Sequence, residues 1–183
     1  MRKIVHLLIV FMACMPAILW ADDSKYLAGA VPEVDGKVVF AKEFDMPGVD
    51  QNSIYDLALN WIDGKMKEND NESRIAFVDK EKGQIVATGV TILLFSNTAF
   101  SLDRSQLSYN VVISCKPGKC TIKVERMRFI YQDKKNMAEE MIADKVALNK
   151  KKTVIYRSSK RFRIKTVDYV NDLLDSASIA LKK

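Results

Sequence analysis

Histidine is nearly absent from this 183-residue chain: the single one, His6, lies within the first ten residues. If that N-terminal segment is removed on export, no imidazole remains. Its loss excludes Ser–His and Cys–His nucleophile pairs, imidazole acid–base catalysis and histidine-containing zinc sites. Cysteine is scarce too, at three residues, and a metal site around two of them would need soft ligands that the chain does not have. No second hydrophobic span follows the N-terminal one, and no internal repeat or low-complexity tract is present.

The N-terminus itself is distinctive. Met1-Arg2-Lys3 precedes the apolar run "IVHLLIVFMACMPAILWA", and the chain then turns acidic at Asp22-Asp23. Positive residues, an apolar stretch and small Ala21 describe a secretory signal over residues 1–21. The expectation is an exported protein of the periplasm or cell envelope, with no transmembrane span after cleavage. A retained anchor is the rival reading, because the run is nearly long enough to cross a bilayer. A third route is lipid anchoring through Cys14, since "FMAC" loosely resembles a lipoprotein box.

The remaining residues, about 160, suit one domain with one core. Charge divides unevenly along them. Residues 22–115 carry 9 Lys+Arg against 15 Asp+Glu, and residues 116–183 carry 18 against 8. Such asymmetry marks either a partner surface or a solvated helix face. Residues 22–36 are polar and rich in turn formers, which predicts an extended lead-in to a domain spanning 37–183.

Two cysteines sit in "SCKPGKC", residues 114–120. The flanks "LSYNVVIS" and "TIKVERMRFIY" are rich in β-branched and aromatic residues and predict antiparallel strands. Leu107, Tyr109, Val111, Ile113 and Cys115 share one face by period two, as do Cys120, Ile122 and Val124. With Pro117-Gly118 at the turn, Lys116 pairs with Lys119 and Cys115 with Cys120. That register predicts a disulfide that clamps the hairpin locally. Free buried thiols are the bland alternative. The spacing is not the C-x-x-C of a catalytic dithiol. Met127, Phe129 and Tyr131 take the opposite parity to Ile122 and Val124, which predicts a β-bulge near Glu125-Arg126.

Elsewhere, "KVVFAKEF" (37–44) alternates as a first strand. Ile54, Leu57, Ala58, Trp61, Ile62 and Met66 form a helical stripe over 52–68, with Asp50 or Ser53 as N-cap. "SRIAFVD" (73–79) and "QIVATGVTILLF" (84–95) read as strands joined at Gly83. A short helix is expected from Ala138 to Lys150. A longer one follows, with Phe162, Val167, Val170 and Leu174 inward and Ser158 or Ser159 as cap. The order β-α-β-β-β-β-α-α predicts an α+β two-layer domain, about five antiparallel strands with helices on one face.

The segments "YLAGAVPEVDGKVVFAKEF", "KEKGQIVATG", "CKPGKCTIKVERMRFIY" and "ADKVALNKKKT" resemble a family of secreted proteins of Bacteroides-type gut bacteria. That family carries a domain of unknown function with a TBP-like fold. The resemblance implies a curved antiparallel sheet with helices across one side. It does not imply DNA binding, because function resides in sites rather than folds.

Lys160, Arg161 and Arg163 are the candidate anion site, at the start of the last helix. Cations there oppose the helix dipole, so they do not serve helix stability, and guanidinium groups beside free N–H groups can hold phosphate, sulfate or carboxylate. A solvated face is the bland reading. Glu139 and Glu140 are adjacent on a helix and should diverge. Asp103 with Arg104 reads as a turn with an ion pair. The functional expectation is a non-catalytic envelope module that engages a protein or an anionic glycan or lipid, without cofactor or metal. Nucleic acid is disfavoured by the export signal. A histidine-free hydrolase acting through carboxylates is the alternative. Two facing carboxyls in a cleft would favour the hydrolase, and an exposed apolar sheet face the binding module.

Overall fold

The computed structural model describes residues 23–69, 72–98 and 101–182. The expected signal segment 1–21, with His6 and Cys14, lies outside the described residues. A long antiparallel sheet runs in the order β3-β7-β6-β5-β4, from β3 (Phe40–Asp45), β4 (Arg74–Asp79), β5 (Gln84–Thr98), β6 (Ser101–Lys116) and β7 (Lys119–Tyr131). A sixth strand, β8 (Lys134–Met137), also pairs with β7. A small separate hairpin, β1 (Glu33–Val34) with β2 (Lys37–Val38), precedes them. The helices are α1 (Gln51–Glu68), two single turns α2 (Ala138–Met141) and α3 (Asp144–Ala147), and α4 (Arg157–Ala180). The class is α+β as expected, with more strands than five.

The period-two pattern sets the sheet's inner face. Leu107, Tyr109, Val111, Ile113 and Cys115 on β6 are all buried, and so are Cys120, Ile122, Val124, Met127 and Phe129 on β7. They join Ile54, Ala58, Trp61 and Ile62 of α1 and Val167, Val170 and Leu174 of α4 in one core. The opposite face is uncovered by helices. Phe77, Ile92, Leu94 and Leu102 stand exposed on it.

Several local expectations hold. Asp50 caps α1: its Oδ1 accepts from the Ser53 N–H at 3.0 Å and its Oδ2 from the Ser53 hydroxyl at 2.6 Å. Cys115 lies opposite Cys120 and Lys116 opposite Lys119, around a turn whose Gly118 has φ of 77°, as a type II turn requires. The bulge falls where the parity switch places it: Asn110 faces Glu125, Ser108 faces Arg128, and Arg126 has φ of 54°.

Four expectations are corrected. The lead-in is folded rather than extended: Asp23–Tyr26 forms a 3-10 turn, and Tyr26 and Val31 belong to the core, so the domain begins before residue 37. The first strand breaks at Val39, whose N–H donates to the Pro32 carbonyl. The helix expected from Ala138 to Lys150 is two single turns, because the Ile142 carbonyl is turned away to accept from the Arg163 guanidinium. Last, α4 starts at Arg157, after Tyr156 and without a side-chain cap. The Tyr156 N–H is held by the Ala147 carbonyl, which fixes the entry too early for either serine to serve.

One close approach needs glycine. Gly89 lies opposite Tyr109, and a Cβ there would stand 2.2 Å from the ring's Cζ. The ring cannot swing aside. Its hydroxyl accepts from Asn69 Nδ2 at 2.9 Å and lies 2.5 Å from the Tyr169 hydroxyl. Burial, and then the neighbouring Tyr169, push the Tyr109 hydroxyl pKa well above its ordinary range. Gly89→Ala should therefore lower stability by about 1–3 kcal/mol through overpacking. Gly64→Ala, on α1 with nothing within 4 Å of the new methyl, should raise it by up to about 1 kcal/mol. Urea denaturation of the two variants checks the opposite signs.

Candidate anion-binding groove

A helix advances 100° per residue, so Arg161 and Arg163 point to different sides of α4. Arg157, Arg161 and Lys165 fall along one flank, with Lys160 and Ile164 beside them. Arg163 falls on the stripe of Val167, Val170 and Leu174. The structure follows this division. Arg157, Ser158, Lys160, Arg161, Ile164 and Lys165 line a groove of about 760 Å³ together with Phe95 of β5. Arg163 is fully buried.

The expected site of Lys160, Arg161 and Arg163 is thus corrected in one member. Arg163 Nε donates to the Tyr26 carbonyl at 2.6 Å, and Nη2 to the Leu27 carbonyl at 2.6 Å and Asp144 Oδ1 at 2.7 Å. Nη1 donates to the Ile142 carbonyl. Four acceptors compensate the charge, and no face is left for a ligand. Its position on the apolar stripe was readable from spacing alone, as were Arg157 and Lys165 as its replacements. Phe95 was not, because β5 reaches α4 only through the tertiary packing.

Arg161 sets the groove's geometry. It pairs with Asp103, its Nη2 donates to the Tyr131 hydroxyl at 2.9 Å, and its guanidinium carbon lies 5.0 Å from the centre of the Phe95 ring. Asp103 therefore belongs to β6 and pairs across to α4, correcting the expected turn with Arg104. Phe95 follows Leu93 on the inner face of β5, at a register shift between Leu94 and Ser96, and its ring meets Phe162 edge-on at 4.7 Å. Lys160 pairs with Asp23. Arg157 and Lys165 have no ion-pair partner among the described residues. Among the described residues no acidic side chain lines the groove.

The other singled-out residues can be placed as well. Cys115 and Cys120 are buried thiols with sulfurs 4.0 Å apart. Their hydrogen bond, with burial, pushes the Cys120 thiol well above its ordinary range, and the same bond draws Cys115 below it. Glu139 and Glu140 diverge: Glu139 Oε1 accepts from the Val38 N–H at 3.0 Å, and Glu140 Oε2 from the Met137 N–H at 3.1 Å. Among the described residues no three His, Cys, Asp or Glu side chains gather as metal ligands. No helix among them is long and apolar enough to cross a membrane.

Residues 40–130 match the family model described as a domain of unknown function, DUF4468, with TBP-like fold. The chain is also similar to a DUF4468 family protein from Bacteroides ovatus ATCC 8483, known from a crystal structure. The two are 47% identical with a TM-score of 0.86, over 88% of this chain and 96% of that one. The chain belongs to the DUF4468 family. A TBP-like protein from Parabacteroides distasonis ATCC 8503 shares the fold at 21% identity and a TM-score of 0.71, over 84% of this chain and 98% of that one. No curated protein matches. The DUF4468 model ends at Ile130, so it takes in Phe95 but none of the groove's cations.

Arg161 and Arg163 should separate cleanly in stability. Removing one partner of a buried ion pair costs about 3–5 kcal/mol, so Arg163→Gln should lower the denaturation midpoint sharply. Arg161→Gln loses an exposed pair and a cation–π contact, together about 1 kcal/mol. Equal midpoints for the two variants would contradict the placement of Arg163.

Proposed function

We propose that this protein is a non-catalytic binding module of the cell envelope, which holds a phosphate-bearing lipid headgroup in the groove at the start of α4. One observation carries the reading. Four cations and a serine surround an apolar floor of Phe95 and Ile164, and two of those cations, Arg157 and Lys165, have no ion-pair partner among the described residues, whereas Lys160 and Arg161 are paired with Asp23 and Asp103. A phosphate group meets the cations, and the adjoining glycerol and upper acyl carbons meet Phe95. The uncovered sheet face, with Phe77, Ile92 and Leu94 exposed, further supports a binding role. The hydrolase alternative gains no support, since its adjacent acids, Glu139 and Glu140, are turned to different partners. Export is part of this reading and rests on the N-terminal signal.

The test uses vesicles of phosphatidylcholine with or without phosphatidylglycerol, sedimented with the protein. Each cation near an anionic surface contributes about 1 kcal/mol. Replacing both Arg157 and Lys165 by Gln should thus weaken binding to the anionic vesicles about 30-fold. Binding should also fall as salt shortens the screening length toward roughly 8 Å at physiological ionic strength. Equal binding to neutral vesicles, or no effect of the double variant, would remove the lipid assignment.

The envelope reading extends to the cysteine hairpin. In an oxidising compartment the Cys115 thiolate attacks a small disulfide such as oxidised glutathione and releases one thiol. Cys120 then displaces the second, leaving a Cys115–Cys120 bond. The six-residue ring contributes roughly 2 kcal/mol, so it clamps the hairpin locally. Protein isolated from the envelope should give a 115–120 peptide two hydrogens lighter than its reduced form. Two alkylatable thiols in that material would argue against oxidation.

A further inference from the structure

The edge of β7 is shared by two strands in succession. β3 pairs with residues 119–124 and β8 with residues 128–131. Neither reaches residues 125–127, and the bulge lies in this gap. Its extra residue, Arg126, takes the left-handed backbone conformation, φ 54°. A bulge of this kind bends its strand and re-aims the side chains around it. The resulting notch encloses about 440 Å³ and is lined by Lys37, Glu125, Arg126, Arg128, Met137 and Glu139, with Val39. That volume lies within the range of small-molecule sites.

Glu139 forms part of the wall and is 9% exposed. One of its oxygens is accounted for, since Oε1 accepts from the Val38 N–H. The other, Oε2, is also buried, and no donor among the described residues reaches it. Buried carboxylate oxygens without a donor are costly and rare. Three cations line the same notch, yet none pairs with Glu139. Arg126 approaches only Glu125, at 4.0 Å, and Lys37 and Arg128 form no ion pair among the described residues. The notch therefore presents a carboxylate lacking a donor and guanidinium groups lacking a close acceptor.

We propose that this notch is a binding site for a small zwitterion, an amino acid or dipeptide, separate from the groove on α4. The ligand's ammonium group donates to Glu139 Oε2, and its carboxylate is held by Arg126 and Arg128. Neither half suffices alone. A simple anion leaves Oε2 without a donor, and a simple cation leaves the Arg126 and Arg128 guanidinium groups without an anion. Oε2 is sealed in the free protein, so binding displaces part of the wall.

Isothermal titration of the full chain tests the proposal with four probes: alanine, alanyl-alanine, N-acetylalanine and alaninamide. At least one of the first two should bind, and comparing them separates an amino-acid from a dipeptide source. N-acetylalanine lacks the ammonium group and alaninamide the carboxylate, so both should bind at least tenfold more weakly. Glu139→Gln keeps the acceptor for the Val38 N–H and should weaken binding of the zwitterion at least tenfold. Arg126→Gln, at an exposed position that the core does not need, should do the same. Replacing Arg157 and Lys165 should leave it unchanged. The proposal is overturned if neither zwitterion binds, if N-acetylalanine binds as well as the zwitterion, or if either Glu139→Gln or Arg126→Gln leaves the affinity unaltered.

Discussion

The Arg163 guanidinium is held out of water, and the surrounding chain is arranged to supply it with acceptors. Desolvating such a charge costs several kcal/mol, recovered only when the geometry is good and the N–H groups are satisfied. Here the carbonyls of Tyr26, Leu27 and Ile142 and the carboxylate of Asp144 supply that compensation. Those acceptors come from two separate stretches, so one side chain of α4 ties the N-terminal segment and the α2–α3 junction to that helix. Asp144 extends the tie, because its Oδ2 accepts from the Gly29 N–H at 3.1 Å. The price of turning the Ile142 carbonyl inward is the broken helix between residues 138 and 147.

With α4 fixed in this way, its outer flank and the sheet define what the protein presents. Arg161 spans from the helix to Asp103 and Tyr131 on the strands, and the groove opens beside it. The fold bridges the charge division along the chain at several points. Lys160 meets Asp23, Lys119 meets Glu43 and Lys145 meets Glu33, each pairing a cation of the basic half with an acid of the other half. These exposed pairs contribute little to stability individually. They do leave Arg157, Lys165 and Arg128 without ion-pair partners among the described residues, at the groove and at the notch.

Both surface features arise where regular structure stops. The groove lies at a helix start that no side chain caps, beside a register shift in β5. The notch lies where two strands fail to meet along one edge of β7, at the bulge. Between them the sheet is tightly specified, as at Gly89, which only a residue without a side chain can occupy beneath Tyr109. Rigid sheet and irregular margins thus divide the work, with the two proposed binding sites confined to the margins.

Local chemistry was legible in the sequence. Alternation in "LSYNVVISC" and "CTIKV" identified the buried face, the parity switch after Val124 located the bulge, and Asp50 marked the start of α1. Each depends on neighbours within a few residues, whose geometry is fixed by the period of a strand or the orphan N–H groups of a helix. Even the burial of Arg163 was encoded in its spacing from Val167 and Val170, although its charge argues for the surface. The tertiary structure alone decided which distant groups meet: Tyr26, Leu27, Ile142 and Asp144 around one guanidinium, Phe95 beneath Arg161, and Val38 against Glu139. Those contacts join residues from 19 to 137 positions apart. No local propensity sets such a distance. It follows from how one sheet face and two long helices bury the same core, and from the acceptors that a buried charge then requires.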